Sequence, residues 1–466
     1  MYQRTLLATT LAALFGTSMP AHADDAALAQ LREELRQMKQ DYEARIKKLE
    51  TRLQAAESQA STAGPSAPVA TASPVASAAR TGNANAFNPE ISLILGGTYA
   101  NLSQDPSRYR IQGFIPGGEE IGPGNRSFNL GESEMTLRAN IDPYFSGQLT
   151  FGLSEENEAE VEEAFFQTSS LSHGFRLKGG RFLSAIGYQN SQHAHTWDFV
   201  DLPLAYQAML GGQYRPDGAQ LKWLAPTDRF LEFGAELGDG AAFPGSDRNK
   251  NGVGSGALFA RTGDDLGASA SWQAGVSWLK TRATDRTYED SDAAGIDVTN
   301  AFSGRSNTWI VDGVYKWAPG GNASRTSFKL QGEYFRRKET GTLTYDTFAQ
   351  SLGTAADAYA SAQSGWYVQG VYQFRPMWRA GLRYDRLDSR TPEIGLISSG
   401  ALTAADFQQL ASFNPSRTSV MLDYSPSEFS RLRLQLARDK SRPDASDNQL
   451  FLQYIMSLGA HGGHAF

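Results

Sequence analysis

The chain has 466 residues, a formal net charge of −7, 11% aromatic residues, 46 glycines and no cysteine. The missing thiols exclude disulfides, thiolate metal centres and cysteine nucleophiles together. An acidic balance with no basic stripe excludes nucleic acid as a natural partner, and no apolar run reaches the roughly 18 residues that a membrane-spanning helix needs.

Residues 1–23 have the parts of a secretory signal peptide: Arg4, an apolar stretch from Leu6 to Phe15, and Ala21 and Ala23 framing His22. Cleavage is expected after Ala23. In 24–57 the apolar residues Leu31, Leu35, Met38, Tyr42, Ile46, Leu49 and Leu53 are spaced 4, 3, 4, 4, 3, 4. That spacing predicts an α-helical coiled coil with one stutter, whose narrow seam calls for partner helices. Residues 58–86 are Ala, Ser, Thr and Pro with almost no charge, the composition of an extended linker.

From 87 to 466 the pattern changes to a period of two. Sixteen alternating segments are centred near Ile91, Phe128, Phe145, Val161, Phe175, Leu221, Leu231, Leu258, Trp272, Trp309, Phe328, Trp366, Trp378, Val420, Leu432 and Leu452. In the last, Leu450, Leu452, Tyr454, Met456 and Leu458 share a face opposite Gln449, Gln453 and Ser457, with Phe451 and Ile455 as exceptions. Short connections at Asp142–Tyr144, Ser172–Gly174, Pro226–Asp228, Arg375–Met377 and Ser425–Ser427 alternate with long ones at Gln104–Arg126, Ser184–Gly218, Thr281–Arg305, Arg337–Gln363 and Asp388–Pro415. Loops sorted this way predict an all-β transmembrane barrel of about 16 antiparallel strands, with short turns in the periplasm and long loops outside. Outer-membrane lipid is then the medium on the outer face. The terminal Phe466, after His461 and Gly463, resembles the carboxy-terminal signature of bacterial outer-membrane barrels.

Because a charge facing mid-bilayer lipid costs about 2–4 kcal/mol, the charged register must look inward. The inward set includes Glu132, Glu134, Arg138, Glu232, Glu236, Asp312, Glu333 and Asp423, with Arg176, Lys178, Lys222, Lys316, Lys329, Arg379, Arg383, Asp385, Arg417, Arg431 and Arg433 as expected pore-lining residues. Basic residues gather in the last four strands, where they either attract anions or brace the wall by pairing with Glu333, Asp385 and Asp423.

The third long connection, Gly180 to Gly218, is too apolar in its middle to sit in water and is expected to fold inward as a constriction loop carrying His193, His195, Trp197 and Asp198. His193 and His195, and in the tail His461 and His464, are candidate ligands for a divalent metal. On an extended backbone His193 and His195 project to one side, and Asp198 is placed to be an oxygen ligand or to orient an imidazole. No nucleophile elbow, phosphate-binding glycine loop or metalloprotease helix is present, so no catalytic residues are assigned and an enzyme is not expected.

The segment Phe175-Arg-Leu-Lys-Gly-Gly-Arg-Phe-Leu, followed by Ala185-Ile-Gly-Tyr, Asp201-Leu-Pro and Gly211-Gly-Gln-Tyr, resembles the phosphate-selective porins O and P. The resemblance implies a trimeric sixteen-stranded barrel. The ladder of lysine and arginine that marks phosphate selectivity is interrupted here by Glu and Asp. The stretches NSQHAHTWDF and LGAHGGHAF are similar to proteobacterial zinc-regulated outer-membrane proteins, some labelled TonB-dependent. A coiled coil before a barrel is similar to sugar-specific porins. A TonB-dependent transporter needs a 22-stranded barrel and a folded plug, for which the helix and linker before the first strand leave no room. The expectation is a homotrimeric porin-type channel in a Gram-negative outer membrane, passing small hydrophilic solutes or ions without a cofactor; the alternatives are a metal-related receptor and a sugar-specific porin.

Overall fold

The computed structural model describes residues 89–117, 121–131, 133–153, 159–169, 171–247 and 249–459. The expected signal peptide, coiled coil and linker, together with Glu132, His461, His464 and Phe466, lie outside the described residues.

Sixteen strands form the wall. They are β1 Glu90–Leu102, β2 in two pieces (Ser127–Asn129 and Ser133–Asn140), β3 Phe145–Leu153, β4 Ala159–Thr168, β5 Phe175–Arg181, β6 Asp217–Leu224, β7 Phe230–Gly238 and β8 Ser255–Leu266. The second half comprises β9 Ala270–Ser291, β10 Asp297–Trp317, β11 Ser327–Tyr345, β12 Ala355–Arg375, β13 Trp378–Asp388, β14 Ser416–Ser427, β15 Ser430–Lys440 and β16 Asp447–Gly459. Each pairs antiparallel with the next, and β1 pairs with β16 from Ser92 opposite Gly459 to Leu102 opposite Gln449, so the sheet closes on itself. All sixteen sequence segments fall on their own strands, and the short connections lie on one rim with the long ones on the other.

The outer face is oily because one register of each strand is apolar. Val311, Leu330, Val368, Leu382, Val420, Leu434 and Leu452 stand exposed between two aromatic girdles. One girdle includes Trp278 against Trp309 (ring centroids 6.2 Å apart) and Trp366 against Tyr384 (5.6 Å). The other includes Trp223 against Phe233 (5.8 Å) and Trp378 against Tyr424 (4.8 Å), near the short turns. Trp309 and Trp317 are eight residues apart on β10, about 26 Å of strand and, with the usual tilt, about 20 Å of height, a little under the roughly 25 Å apolar band of membrane barrels.

Two expected long loops are corrected. Thr281–Arg305 and Arg337–Gln363 continue as strand for most of their length, leaving only 292–296 and 346–354 as connections. Beyond the outer girdle the alternation persists with its chemistry reversed: Arg336, Lys338 and Arg305 point outward, while Tyr288, Val298, Phe302, Leu343, Tyr345 and Tyr359 point inward. These inward residues pack with Ile115 and with Ile394, Leu396, Phe407 and Leu410 of the 389–415 loop, so the extra strand length is held by an apolar core above the membrane.

A second apolar core lies inside the barrel. Ile186, Leu204, Tyr206, Met209 and Tyr214 of the third long loop (182–216) pack with Ile111 and Phe114 of the first (103–126) against Leu279, Ile310, Phe335, Tyr367 and Leu387 of the wall. The same loop explains one exception in β16, since inward Phe451 packs with Ala100, Leu102 and Val200.

Candidate functional site: the inward loop and the wall around it

Loop 182–216 is built to be buried. Pro203 starts and Gly211, at φ 69°, ends the helix α1, Leu204–Leu210, all of whose residues are buried. The first N–H of α1, from Leu204, donates to Asp385 Oδ1 at 3.0 Å, so a wall carboxylate caps the helix. Upstream, Ser184 Oγ (2.5 Å) and the N–H of Ala185 (2.9 Å) donate to Glu236 of β7. The N–H groups of Tyr188 (3.1 Å) and Gln189 (2.9 Å) donate to Glu333 of β11, which also accepts from the hydroxyls of Tyr206 (2.9 Å) and Tyr367 (2.6 Å). Burial, reinforced by the Glu333 carboxylate, pushes Tyr206 well above the ordinary tyrosine range, so its hydroxyl stays a donor. Gly187, at φ +65°, sits where a Cβ would strike Glu333 and the Tyr206 hydroxyl.

The basic residues named from the sequence all lie on the inward register but divide into two groups. Arg383, Arg417 and Arg433 are 1% exposed and Asp385 is fully buried, because the loop covers them. This corrects the expectation that these four line a passage: they hold the loop. Arg383 donates to Asp201 Oδ1 (2.8 Å) and lies 3.1 Å from Asp385, Arg417 pairs with Asp201, and Arg433 pairs with Asp423 (2.8 Å) and donates to the Trp197 carbonyl (2.8 Å). Lys329, Arg379 and Arg431 keep about a quarter of their side-chain surface. Lys316, Lys329 and Arg379 line, with Asp198, a cavity of about 470 Å³ at the short-turn rim. Near that rim Arg176 is exposed, Lys178 lies 4.0 Å over the Phe165 ring, and Lys222 is 3.5 Å from Glu232. Of the expected bracing acids, Asp385 and Asp423 pair with arginines, whereas Glu333 binds loop N–H groups and tyrosines.

Asp198 does not orient a histidine. It pairs with Lys329 and with Arg379 (3.3 Å) and accepts from Gln369 (3.2 Å). Burial works to raise its pKa, yet Lys329 and Arg379 hold it well below the ordinary carboxylate range. The neighbouring Trp197 donates its Nε1–H to the Gln192 carbonyl at 2.8 Å.

His193 and His195 lie not on extended chain but across the tight turn Ala194–Thr196, with rings 5.8 Å apart and 22° from parallel. His193 Nδ1 is 3.2 Å from Glu134 Oε2 and 3.4 Å from Glu162 Oε2, and its Nε2 is 3.1 Å from Glu163 Oε2. His195 Nδ1 is 3.0 Å from Glu134 Oε1. Burial disfavours a charged His193, but the adjacent carboxylates of Glu134, Glu162 and Glu163 outweigh it and raise its pKa well above the ordinary histidine value. Strict alternation cannot turn Glu162 and Glu163 to the same side. A β-bulge does so: Thr150 of β3 pairs with Glu163 while Phe151 pairs with Val161, leaving Glu162 as the extra residue. The signal in the sequence is the acidic run Glu160-Val161-Glu162-Glu163 in the middle of a strand.

A closed sheet with an oily, girdled exterior and a charged inner register defines a β-barrel of the kind that crosses membranes with its strands. No family model matches the chain. The chain belongs to the same family as an uncharacterized protein of Aquifex aeolicus (strain VF5), with which it is 31% identical over 409 residues, covering 82% of this chain and 80% of that one. Among solved structures it is similar to the loop L8 deletion mutant of OmpT, an outer membrane protein of Vibrio cholerae (10% identity, 80% of this chain and 100% of that one, TM-score 0.49). It is also similar to Pseudomonas putida OprB (14%, 80% and 94%, TM-score 0.47) and to the outer membrane channel DcaP of Acinetobacter baumannii (12%, 80% and 97%, TM-score 0.46). The closed strand ladder, rather than these likenesses, defines the fold.

Proposed function

We propose that the chain is an outer-membrane porin-type channel of a Gram-negative bacterium, passing small hydrophilic solutes or ions passively, with loop 182–216 as its constriction. The carrying observation is the radial sorting of the wall: an apolar exterior bounded by aromatic girdles encloses a charged interior with a cavity of about 470 Å³ at the short-turn rim. Lys316, Lys329 and Arg379 outnumber Asp198 and Asp265 around that cavity, so anions are the favoured ions. In this reading residues 1–23 are the signal peptide, 24–57 a periplasmic coiled coil and 58–86 the linker, and the assembly is a homotrimer.

The test is a planar-bilayer recording of the purified chain in a salt gradient. Steady conductance without an energy source, a reversal potential on the anion side, and higher conductance after deletion of 193–204 are expected. A silent membrane together with tight binding of one ligand would replace the channel with a gated receptor. Mass measurement in mild detergent, with and without 24–57, is expected to give a trimer that weakens when the helix is removed.

A further inference from the structure

We propose that His193, His195, Glu134 and Glu162 form a site for one divalent transition-metal ion inside the barrel, with Glu163 as the outer partner of His193. This goes beyond the channel reading and does not depend on transport.

Spacing is the first support. Ligand atoms of Glu134, Glu162 and His193 lie within 4.8 Å of one another. The closer separations, 3.0 Å (His195 to Glu134), 3.2 Å (His193 to Glu134) and 3.4 Å (His193 to Glu162), are those of neighbouring ligands. An ion bound at about 2.0–2.2 Å holds adjacent donors about 3.0–3.5 Å apart. His195 stands just outside this trio, against the other oxygen of Glu134, and joins it by turning its ring inward.

Proton placement is the second. A carboxylate only accepts, so Glu163, 3.1 Å from His193 Nε2, holds the ring proton there. The other ring nitrogen, Nδ1, points at the oxygens of Glu134 and Glu162, 3.2 and 3.4 Å away, where its lone pair would meet an ion that displaces a proton. It is buried and has no hydrogen bond of good geometry among the described residues, so a metal ion between it and the two carboxylates would take the place of the proton that otherwise bridges them. Glu163 is itself fixed by the Leu183 N–H (3.0 Å) and by Gln148 (3.0 Å), the arrangement by which a carboxylate orients a metal-binding imidazole.

The wall is also shaped for these ligands. The bulge turns Glu162 inward beside Glu163, and Gly152 of β3 leaves the space that the Glu162 carboxylate takes, where a Cβ would collide with it. Two imidazoles with carboxylates suit zinc, manganese or nickel better than calcium or magnesium, which favour oxygen donors throughout. The site lies between the loop and the β2–β4 wall, so a bound ion staples one to the other.

Full-length protein in detergent, stripped with a chelator, is titrated with Zn²⁺, with Mn²⁺ and with Ca²⁺ by calorimetry, and its metal content is counted after dialysis. One Zn²⁺ or Mn²⁺ per barrel, far weaker Ca²⁺, loss of binding in His193→Ala/His195→Ala, and a weakening of about 10- to 100-fold in Glu163→Gln are expected. A His461→Ala/His464→Ala variant is expected to bind as the unaltered protein does. Heat-modifiable gel migration reports folding; if the double loop variant does not fold, Glu163→Gln and X-ray absorption of the zinc-loaded protein, which registers imidazole nitrogen, decide instead. No ion taken up, equal uptake by the loop variants, or binding lost with the tail pair would overturn the proposal and leave His193 as a protonated bridge among three carboxylates.

Discussion

Two loop N–H groups and two tyrosine hydroxyls converge on the Glu333 carboxylate deep in the barrel. Replacing Glu333 with Leu strands all four donors, at about 1–3 kcal/mol for each that finds no new partner. The expected outcome is a loop cut by protease while the wall stays intact, with Glu333→Gln milder because it keeps one acceptor oxygen. Asp423 accepts from Arg379 (2.5 Å) and Arg433 (2.8 Å). Asp423→Asn removes the charge between them, so a loss of about 3–5 kcal/mol and a reversal potential shifted further toward anions are expected together. An inward face for both acids was legible from alternation alone. Their partners were not, because Glu333 meets residues 144 and 145 positions away in the chain. Glu162 and Glu163 were missed for a different reason: a bulge suspends the period of two on which the reading of faces depends.

At the level of elements, β9 to β12 have two chemistries in one strand. Below the outer girdle they show lipid an apolar register; above it the outward register is polar and the inward one fills the core of Tyr288, Phe302, Leu343 and Tyr359. A search for oily outward faces therefore stops at Trp309 and mistakes the rest for loop. Phe302→Ala is expected to cost the upper hairpins about 3–5 kcal/mol, seen as faster amide exchange in 286–302 and 335–345 with the membrane belt unchanged. The helix Leu204–Leu210 was legible in principle, since a Pro, good helix formers and a Gly-Gly stop stand in order. Its apolar content was read only as a reason to fold inward.

For the whole molecule, the wall is a boundary between two media, and substitutions should respond to depth. Leu434→Arg, at mid-belt on β15, is expected to cost about 2–4 kcal/mol in refolding into lipid vesicles, whereas Arg336→Leu, beyond the girdle on β11, changes little. Strand number and rim assignment were legible because each strand carries its own alternation and each connection its own length. What fills the interior was not, because it arises from contacts across the full circumference. Buried Arg383 and Arg417 both draw on Asp201 of the loop for neutralisation, and Val200 packs on Ala100 and Phe451 at the seam between first and last strands. With the loop unseated, these guanidinium groups would keep only water and the wall carboxylates Asp385 and Asp439. Asp201 and Val200 therefore latch the loop to the wall near its own seam, and a chain with Asp201→Ala should still close and conduct but lose the loop to protease sooner than the unaltered chain.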